Sequence, residues 1–411
     1  MERPYSLDIK IKKEIIYTYM KFAILTCGML PIPAVQGGAV ENLIDFYLEY
    51  NNKNKLHDIT VYSPWDAKAC QHAALSSGVN HYVYIDVSSR YARIARRIFK
   101  YTHSSSDYYN YFIEYYFEKV YQKLKKESYD YIILENSSGF AYKLAHRGYK
   151  KLILHLHNDI LNSESKYHDT IFNSLTKIIT VSDYIQKRVS TIAISNNKIQ
   201  TVYNGIDIHR FSSKKHFEVN RQVIGFSEND FVIVYSGRIN KEKGVSELID
   251  SMLQLKDTPQ IKLMILGSSF FNDAQSENGF IYQLKTKSDP IKDKIVFTGF
   301  IPYSEVPHYL HIADIAVLPS MWEEPFGLTI VEAMAAGLPL ITTRSGGIPE
   351  ICEGVATIVE RQDITSNLAN TILDLYSHPK KRQQMSKASI QRSKFFDKAT
   401  FARNFFTALE K

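Results

Sequence analysis

Short apolar runs separated by longer amphipathic stretches recur along the chain: KFAILT around Phe22, ITVYS around Val61, YVYI around Val83, YIIL around Ile132 and KLILHLH around Leu152. Runs of this length with little polar interruption predict strands covered on both faces, and the helical stretches between them predict βαβ units in a parallel sheet. The rhythm resumes with FVIVYSG around Val232, IKLMILG around Leu263, KIVFTGF around Val296, IAVLPS around Val317 and LPLITT around Leu340. The pattern therefore predicts two separate α/β sheets. Between them VYNGID carries the turn signal Asn204-Gly205, and a polar, Lys-rich stretch from Ser212 to Asn229 fits a crossing between domains. These signals place one domain at 1–205, a second at 206–392 and an aromatic helix at 393–411.

One stretch breaks the rhythm. Arg90 to Lys126 holds nine Lys or Arg against three Asp or Glu and eight of the 28 tyrosines, with no Gly or Pro. It predicts amphipathic helices with two readings: a solvated face whose tyrosines pack on the first domain, or a surface for anionic membrane or a lipid-linked acceptor.

Composition narrows the function classes. The 411 residues allow two or three domains, and 45% hydrophobic content suits a packed globular chain. A net charge of +7 suits anionic ligands or an anionic lipid surface but is too small to argue for nucleic acid. Cys27, Cys70 and Cys352 are too few and too widely spaced for a disulfide framework or a metal knuckle, so a reducing cytoplasm is expected. Met1 to Lys21 is polar and charged, and the apolar stretch Phe22 to Val35 is broken by Pro31 and Pro33. Neither resembles a signal peptide or a spanning helix, so a soluble or peripheral protein is expected.

The densest chemistry runs from Ser320 to Gly347, SMWEEPFGLTIVEAMAAGLPLITTRSGG. IAVLPS supplies a strand, MWEEPFG a loop and LTIVEAMAA a helix that Gly337 can cap. The loop then lies at the carboxyl end of a parallel strand, where open α/β sheets bind ligands. Phe326, Gly327 and Leu328 would present backbone N–H groups at a helix N-terminus, suited to phosphate or sugar hydroxyls. Glu324 precedes that helix and Glu332 lies about a turn inside it. Two carboxylates at fixed separation suit hydroxyl-rich ligands.

Glu324-Pro325-Phe326-Gly327, Glu332, Ala335-Ala336-Gly337-Leu338-Pro339 and Gly346-Gly347-Ile348-Pro349-Glu350 together closely resemble the signature of glycosyltransferase family 4. That resemblance implies the GT-B fold, two Rossmann-like parallel-sheet domains facing a central cleft. Further matches follow in order. Ser236-Gly237-Arg238 ends a strand and Lys243-Gly244 opens the next helix, and in the family these positions hold the nucleotide diphosphate. Arg supplies a rigid fork and Lys a mobile point charge, which together can neutralise a departing pyrophosphate without a metal. The chain contains no Asp-x-Asp, the motif that holds Mn²⁺ or Mg²⁺ in transferases of the other common architecture.

The resemblance also implies a donor contact at Gly38 in the glycine loop after the first strand, nucleobase contacts from backbone near Phe300 and Ile301, and His157 near the transferred sugar. The alternative for His157 is a satisfied structural role, because neutral histidine is common inside sheets. By strand alternation His155 shares its face one step deeper, which favours a core or supporting position. Glu135-Asn136, closing YIIL, is a candidate acceptor-side feature. In this fold the C-terminal helix commonly crosses back onto the first domain. One departure occurs after Glu350, where ICEGVATIVE lacks the usual glycine pair.

The resemblance implies a retaining, metal-independent enzyme that moves a sugar from a UDP- or GDP-sugar to a glycan, lipid-linked or other hydroxyl acceptor, in bacterial surface polysaccharide synthesis. No cofactor beyond the donor is expected, and peripheral contact with the inner membrane face would run through 90–126. The expected rivals are a sugar-nucleotide epimerase or phosphorylase of the same fold and a non-catalytic partner subunit. The intact Glu324, Glu332, Arg238 and Lys243 set argues against a pure scaffold.

Overall fold

The computed structural model describes residues 18–76, 78–102, 108, 110–193, 197–213, 219–268 and 279–410. The polar start through residue 17, the middle of the basic tyrosine-rich stretch (103–107 and 109) and part of the crossing (214–218) lie outside the described residues.

Seven strands build the first sheet: β1 Lys21–Leu25, β2 Asp58–Pro64, β3 Asn80–Ile85, β4 Tyr131–Glu135, β5 Leu152–Leu156, β6 Leu175–Thr180 and β7 Ile199–Thr201. Six build the second: β8 Phe231–Ser236, β9 Ile261–Leu266, β10 Ile295–Gly299, β11 Ile315–Leu318, β12 Leu340–Thr343 and β13 Thr357–Val359. The orders are β3-β2-β1-β4-β5-β6-β7 and β10-β9-β8-β11-β12-β13, with every pairing parallel. In each sheet the strand order reverses at the centre, between β1 and β4 and between β8 and β11, while all strands stay parallel. That reversal leaves a crevice at the carboxyl ends of the strands.

The apolar runs become these strands because both faces are covered; all five residues of β5 are buried. β6, β7 and β13 fall outside the predicted runs. Thr176 and Lys177 interrupt the first, and the other two have only three residues each at a sheet edge, too few for periodicity to register.

Phe22, Ile24, Ile133, Ile153 and Ile179 present one face of the first sheet to Leu43, Ile44, Tyr47 and Leu48 of the helix Ala39–Asn54. The C-terminal helix Lys398–Glu410 completes this layer, stacking Phe405 on Tyr47 with ring centroids 4.3 Å apart and planes 6° from parallel. Phe405 is fully buried, so truncating it to Ala would cost about 3–5 kcal/mol. The chain's two passages between the sheets are tied together where Ile206 N–H donates to Phe396 O at 2.9 Å and Lys398 N–H to Ile206 O at 2.9 Å. A Cβ on Gly205 would stand 2.7 Å from Phe401 Cβ, which explains the glycine at that crossing.

The basic tyrosine-rich stretch forms two helices of unlike burial. Glu114–Leu124 packs Tyr116, Phe117, Val120 and Leu124 into the core, whereas Ala92 is the buried residue of Arg90–Thr102.

Candidate functional site

At the carboxyl end of β8 the chain turns through Gly237, whose N–H donates to Leu266 O at 3.1 Å. A Cβ on Gly267 would lie 1.9 Å from Gly237 O, so the ends of β8 and β9 approach more closely than a side chain would allow. Arg238 follows, exposed, with its carbonyl accepting the Tyr235 hydroxyl at 2.8 Å. A 3-10 turn, Lys241–Lys243, then leads into the helix Val245–Gln254 through Gly244. Gly244 has φ +69°, and a Cβ there would sit 1.8 Å from Pro319 O. The strand-end backbone after β11 thus presses on the turn that carries Lys243.

This contact brings together residues 81 apart in sequence: the Lys243 ammonium pairs with the Glu324 carboxylate. The Ser320 hydroxyl donates to the same Glu324 oxygen at 3.0 Å, and Glu242 O accepts Met321 N–H at 2.8 Å and Trp322 N–H at 3.1 Å. Burial pushes the Tyr235 hydroxyl's pKa up, Glu324 pushes it further and Arg238 opposes the shift. The Tyr235 hydroxyl, bonded to Arg238 O, thus feels the charges of both Glu324 and Arg238, and Glu324 in turn holds Lys243.

The Gly346-Gly347 turn lies against the Glu324 loop. Gly347 N–H donates to Glu324 O at 2.7 Å, and Gly346 N–H to the Glu323 carboxylate at 2.5 Å. A Cβ on Gly346 would meet Glu324 O at 2.2 Å, at φ +53°. Arg361 pairs with the other oxygen of Glu323. Beyond the loop, Phe326 is buried, Gly327 stands at the N-cap with φ +104° and Leu328 begins the helix Leu328–Ala335. Glu332, on that helix, is 6% exposed and faces Tyr303 and Arg210. Burial lifts its pKa to about 7, while the Tyr303 hydroxyl and the Arg210 charge pull the other way. Phe300 and Ile301, half-buried, follow β10 at the edge of this sheet.

In the first sheet Gly38 is the N-cap of the helix Ala39–Asn54 at φ +104°, and a Cβ there would stand 2.1 Å from a Glu41 carboxylate oxygen. Burial raises the pKa of Glu41. At the end of β4, Glu135 accepts the Tyr47 hydroxyl at 2.9 Å. His155 Nδ1 and His157 Nε2 each lie 3.0 Å from Glu135 Oε2. Burial alone would push Glu135 up, but the two histidines hold it well below the usual carboxylate range. Burial, and then His155, lower His157 to about 4, against the pull of Glu135. An ionised Glu135 fixes both tautomers: it takes the N–H from His155 Nδ1 and from His157 Nε2. His157 Nδ1 and His155 Nε2 are then lone-pair atoms, and neither has a hydrogen-bond partner among the described residues. The three side chains' ligand atoms lie within 4.8 Å of one another, a set that could hold a metal ion. His157, the residue just past β5, keeps the strand's alternation and lies on the face of His155, their ring centroids 4.1 Å apart.

Beside this cluster a cavity of about 390 Å³ opens at the carboxyl ends of β1 and β4. Cys27, Asn136, Ser137, Ser138 and Ser165 line it, with Phe140 as an apolar wall. Asn136 Oδ1 accepts the main-chain N–H of His157 at 3.0 Å, linking the cavity wall to the backbone that carries the histidine.

The carboxyl-edge loops of the two sheets touch. Ser182 Oγ donates to Pro325 O at 2.6 Å, and the Glu350 carboxylate accepts Asp183 N–H at 2.7 Å and Tyr184 N–H at 2.6 Å. Tyr203 OH donates to Asp183 at 3.0 Å. A Cβ on Gly347 would lie 2.7 Å from Pro325 O and 3.1 Å from Ser182 Cβ. In the sequence Glu350 is the last residue of the Gly346-Gly347-Ile348-Pro349-Glu350 motif, and Tyr303, Arg210 and Tyr47 carry no motif of their own. The available signal was the Ser182-Asp183 helix start, whose free N–H groups call for a carboxylate.

Two cationic side chains, a carboxylate pair and a glycine-capped helix start at one sheet edge can receive an anionic, hydroxyl-rich ligand. The polar cavity of the facing sheet can receive a hydroxyl-bearing one. Among the described residues no helix is long and apolar enough to cross a membrane.

Comparison with known proteins gives matches over both halves. Residues 216–392 match the family model described as "Glycosyl transferases group 1", and residues 51–210 match "Glycosyltransferase Family 4". A putative glycosyltransferase, YtcC, of Bacillus subtilis is 29% identical, with 90% of this chain and 86% of that protein covered. Spore coat protein SA of the same organism is 27% identical, covering 95% and 100%. Among solved structures, Anabaena HepE in complex with UDP and glucose superposes with a TM-score of 0.72 at 19% identity, covering 95% and 100%.

Proposed function

The chain belongs to the glycosyl transferases group 1 family and is a glycosyltransferase of GT-B fold, and from that premise we propose a retaining, metal-independent transfer from a nucleoside-diphosphate sugar to a hydroxyl acceptor. The observation that carries this reading is the meeting of Lys243 with Glu324 beside Arg238 at the carboxyl end of β8. In the ligand-free arrangement Glu324 neutralises Lys243. A bound diphosphate would take that ammonium and the Arg238 fork, leaving Glu324 to accept sugar hydroxyls.

In this reading the N–H groups at Phe326, Gly327 and Leu328 orient the sugar and its phosphate, and Gly237 lets backbone approach closely. Glu332 accepts ribose hydroxyls, backbone at Phe300 and Ile301 meets the base, and Gly38 contacts the donor from the first sheet. His157 lines the reaction centre, its tautomer set by Glu135. The acceptor, a glycan or lipid-linked alcohol, enters the cavity walled by Asn136, Ser137 and Ser138. Its oxygen bonds to the anomeric carbon on the face from which the diphosphate leaves. The departing phosphate oxygen takes the acceptor's proton, so charge and atoms balance without an enzyme nucleophile.

The domain division we propose is 1–205, 206–392 and 393–411, with the last segment serving the first domain. The UDP and glucose of the Anabaena structure support a nucleotide-sugar donor. Free thiols at Cys27, Cys70 and Cys352 suit a cytoplasmic setting.

The test is release of free nucleotide from UDP-, GDP- and ADP-sugars, with and without EDTA and lipid-linked acceptors. Acceptor-dependent, EDTA-insensitive release is expected. Turnover that vanishes with EDTA and returns with Mn²⁺ would overturn the metal-independent mechanism.

A further inference from the structure

The helix Arg90–Thr102 carries two parallel rows. Tyr91, Ile94, Ile98 and Tyr101 recur at spacings of three, four and three, which stacks them on one face. Their exposures are 80%, 54%, 57% and 88%. Arg90, Arg93, Arg97 and Lys100 repeat the same spacing one row over, and all four are exposed. The helix has no carboxylate of its own. Its inner side is held down by buried Ala92 and by Arg96, whose guanidinium donates to Val87 O.

An apolar row left in water beside an unbalanced basic row has no structural role in a monomer, because the fold gains nothing from exposing two isoleucines and two tyrosines. We propose that this face docks on an anionic lipid bilayer, the helix lying in the interface plane. The charge pattern selects this occupant: four cations without an acid complement a surface of phosphate headgroups, and the neighbouring row supplies side chains that partition into the acyl boundary. Tyrosines at both ends of the row suit the headgroup level, where a ring is partly buried and its hydroxyl stays wet. The helix leaves the first sheet just after β3, at the same carboxyl edge where the cavity beside Asn136 opens. Docking would bring that cavity near the membrane. The inference extends the transferase reading without depending on it, since binding is measured without turnover.

The experiment sediments the full chain with phosphatidylcholine vesicles and with vesicles that also contain phosphatidylglycerol. The protein should pellet with the anionic vesicles only and be released by salt. Arg93→Gln with Arg97→Gln should weaken that partition about thirty-fold, and Ile94→Ser with Ile98→Ser should weaken it as well. Both double variants should keep the wild-type melting temperature, since the changed side chains are exposed. The proposal is overturned if the wild type ignores anionic vesicles at low salt or if both variants bind as the wild type does. A wild-type dimer in solution that the isoleucine variant splits, without vesicle binding, also overturns it and assigns the face to a second copy.

Discussion

The Glu350 carboxylate accepts the Asp183 N–H at 2.7 Å. A side chain that follows β12 of the second sheet thereby caps the helix Asp183–Ser190, which follows β6 of the first. Its second oxygen takes Tyr184 N–H at 2.6 Å, so the carboxylate satisfies two N–H groups that a helix start leaves unpaired. The contact fixes one lobe against the other by charge-assisted hydrogen bonds.

Replacing Glu350 by Ala should therefore cost about 1–2 kcal/mol, the usual worth of a helix cap, and loosen the lobes. Urea unfolding and small-angle scattering with Glu350→Ala read the two effects. An unchanged midpoint together with an unchanged radius of gyration would show that the contact holds nothing.

Gly244 tests whether the backbone positions Lys243. A Cβ would collide with Pro319 O at 1.8 Å, and φ is +69°. Gly244→Ala should destabilise by 2 kcal/mol or more, at roughly the upper range for strained backbone, and should weaken nucleotide binding. Thermal melting combined with calorimetry checks both, and a variant with wild-type melting and affinity contradicts the geometry.

Glu332 gives the chain a pH signature. Burial lifts its folded pKa to about 7, above the ordinary 4.5 of a glutamate, so the native state holds the proton more tightly. This contribution is fully present below pH 4.5 and is lost as pH rises through 7, by on the order of 3 kcal/mol. Glu332→Gln should flatten the decline between pH 5 and about 8. Equal slopes for wild type and variant in urea titrations would place the ionisation elsewhere.

His157 acts in the opposite sense. Its folded pKa is lowered to about 4 from 6.5, so its contribution is present above 6.5 and is lost as pH falls toward 4. Glu135→Gln removes the charge that fixes its tautomer and leaves buried polar groups mismatched, which should cost about 1–3 kcal/mol. It should also change the ¹⁵N shifts of both imidazole rings. A spectrum with both tautomers unchanged would mean that Glu135 does not set them.

The strands with full apolar runs were readable from pattern alone, because burial on both faces leaves a continuous signal. β13, Thr357–Val359, was not, since three residues at an edge carry no period. The site divided in the same way. Lys243 and Glu324 sit in motifs whose residue types declare their chemistry, yet their pairing depends on Gly244 lying under Pro319, which no spacing encodes. Tyr303 and Arg210 were invisible because a lone Tyr and a lone Arg gain meaning only when Glu332 is buried beside them. For Arg90–Thr102 the sequence left two readings, and exposure of Tyr91 and Tyr101, set against burial of Tyr116, separates that helix from its neighbour Glu114–Leu124.

The central claim, that Arg238 and Lys243 grip a diphosphate at the end of β8, is tested most directly by calorimetric titration of UDP and GDP. The titrants meet wild type, Arg238→Ala and Lys243→Ala. Wild type should bind at least one nucleotide, and each variant should bind it at least tenfold more weakly, as expected when a charged hydrogen bond worth about 1.5–3 kcal/mol is lost. Wild-type affinity in both variants, or no binding of either nucleotide to the wild type, would contradict the account.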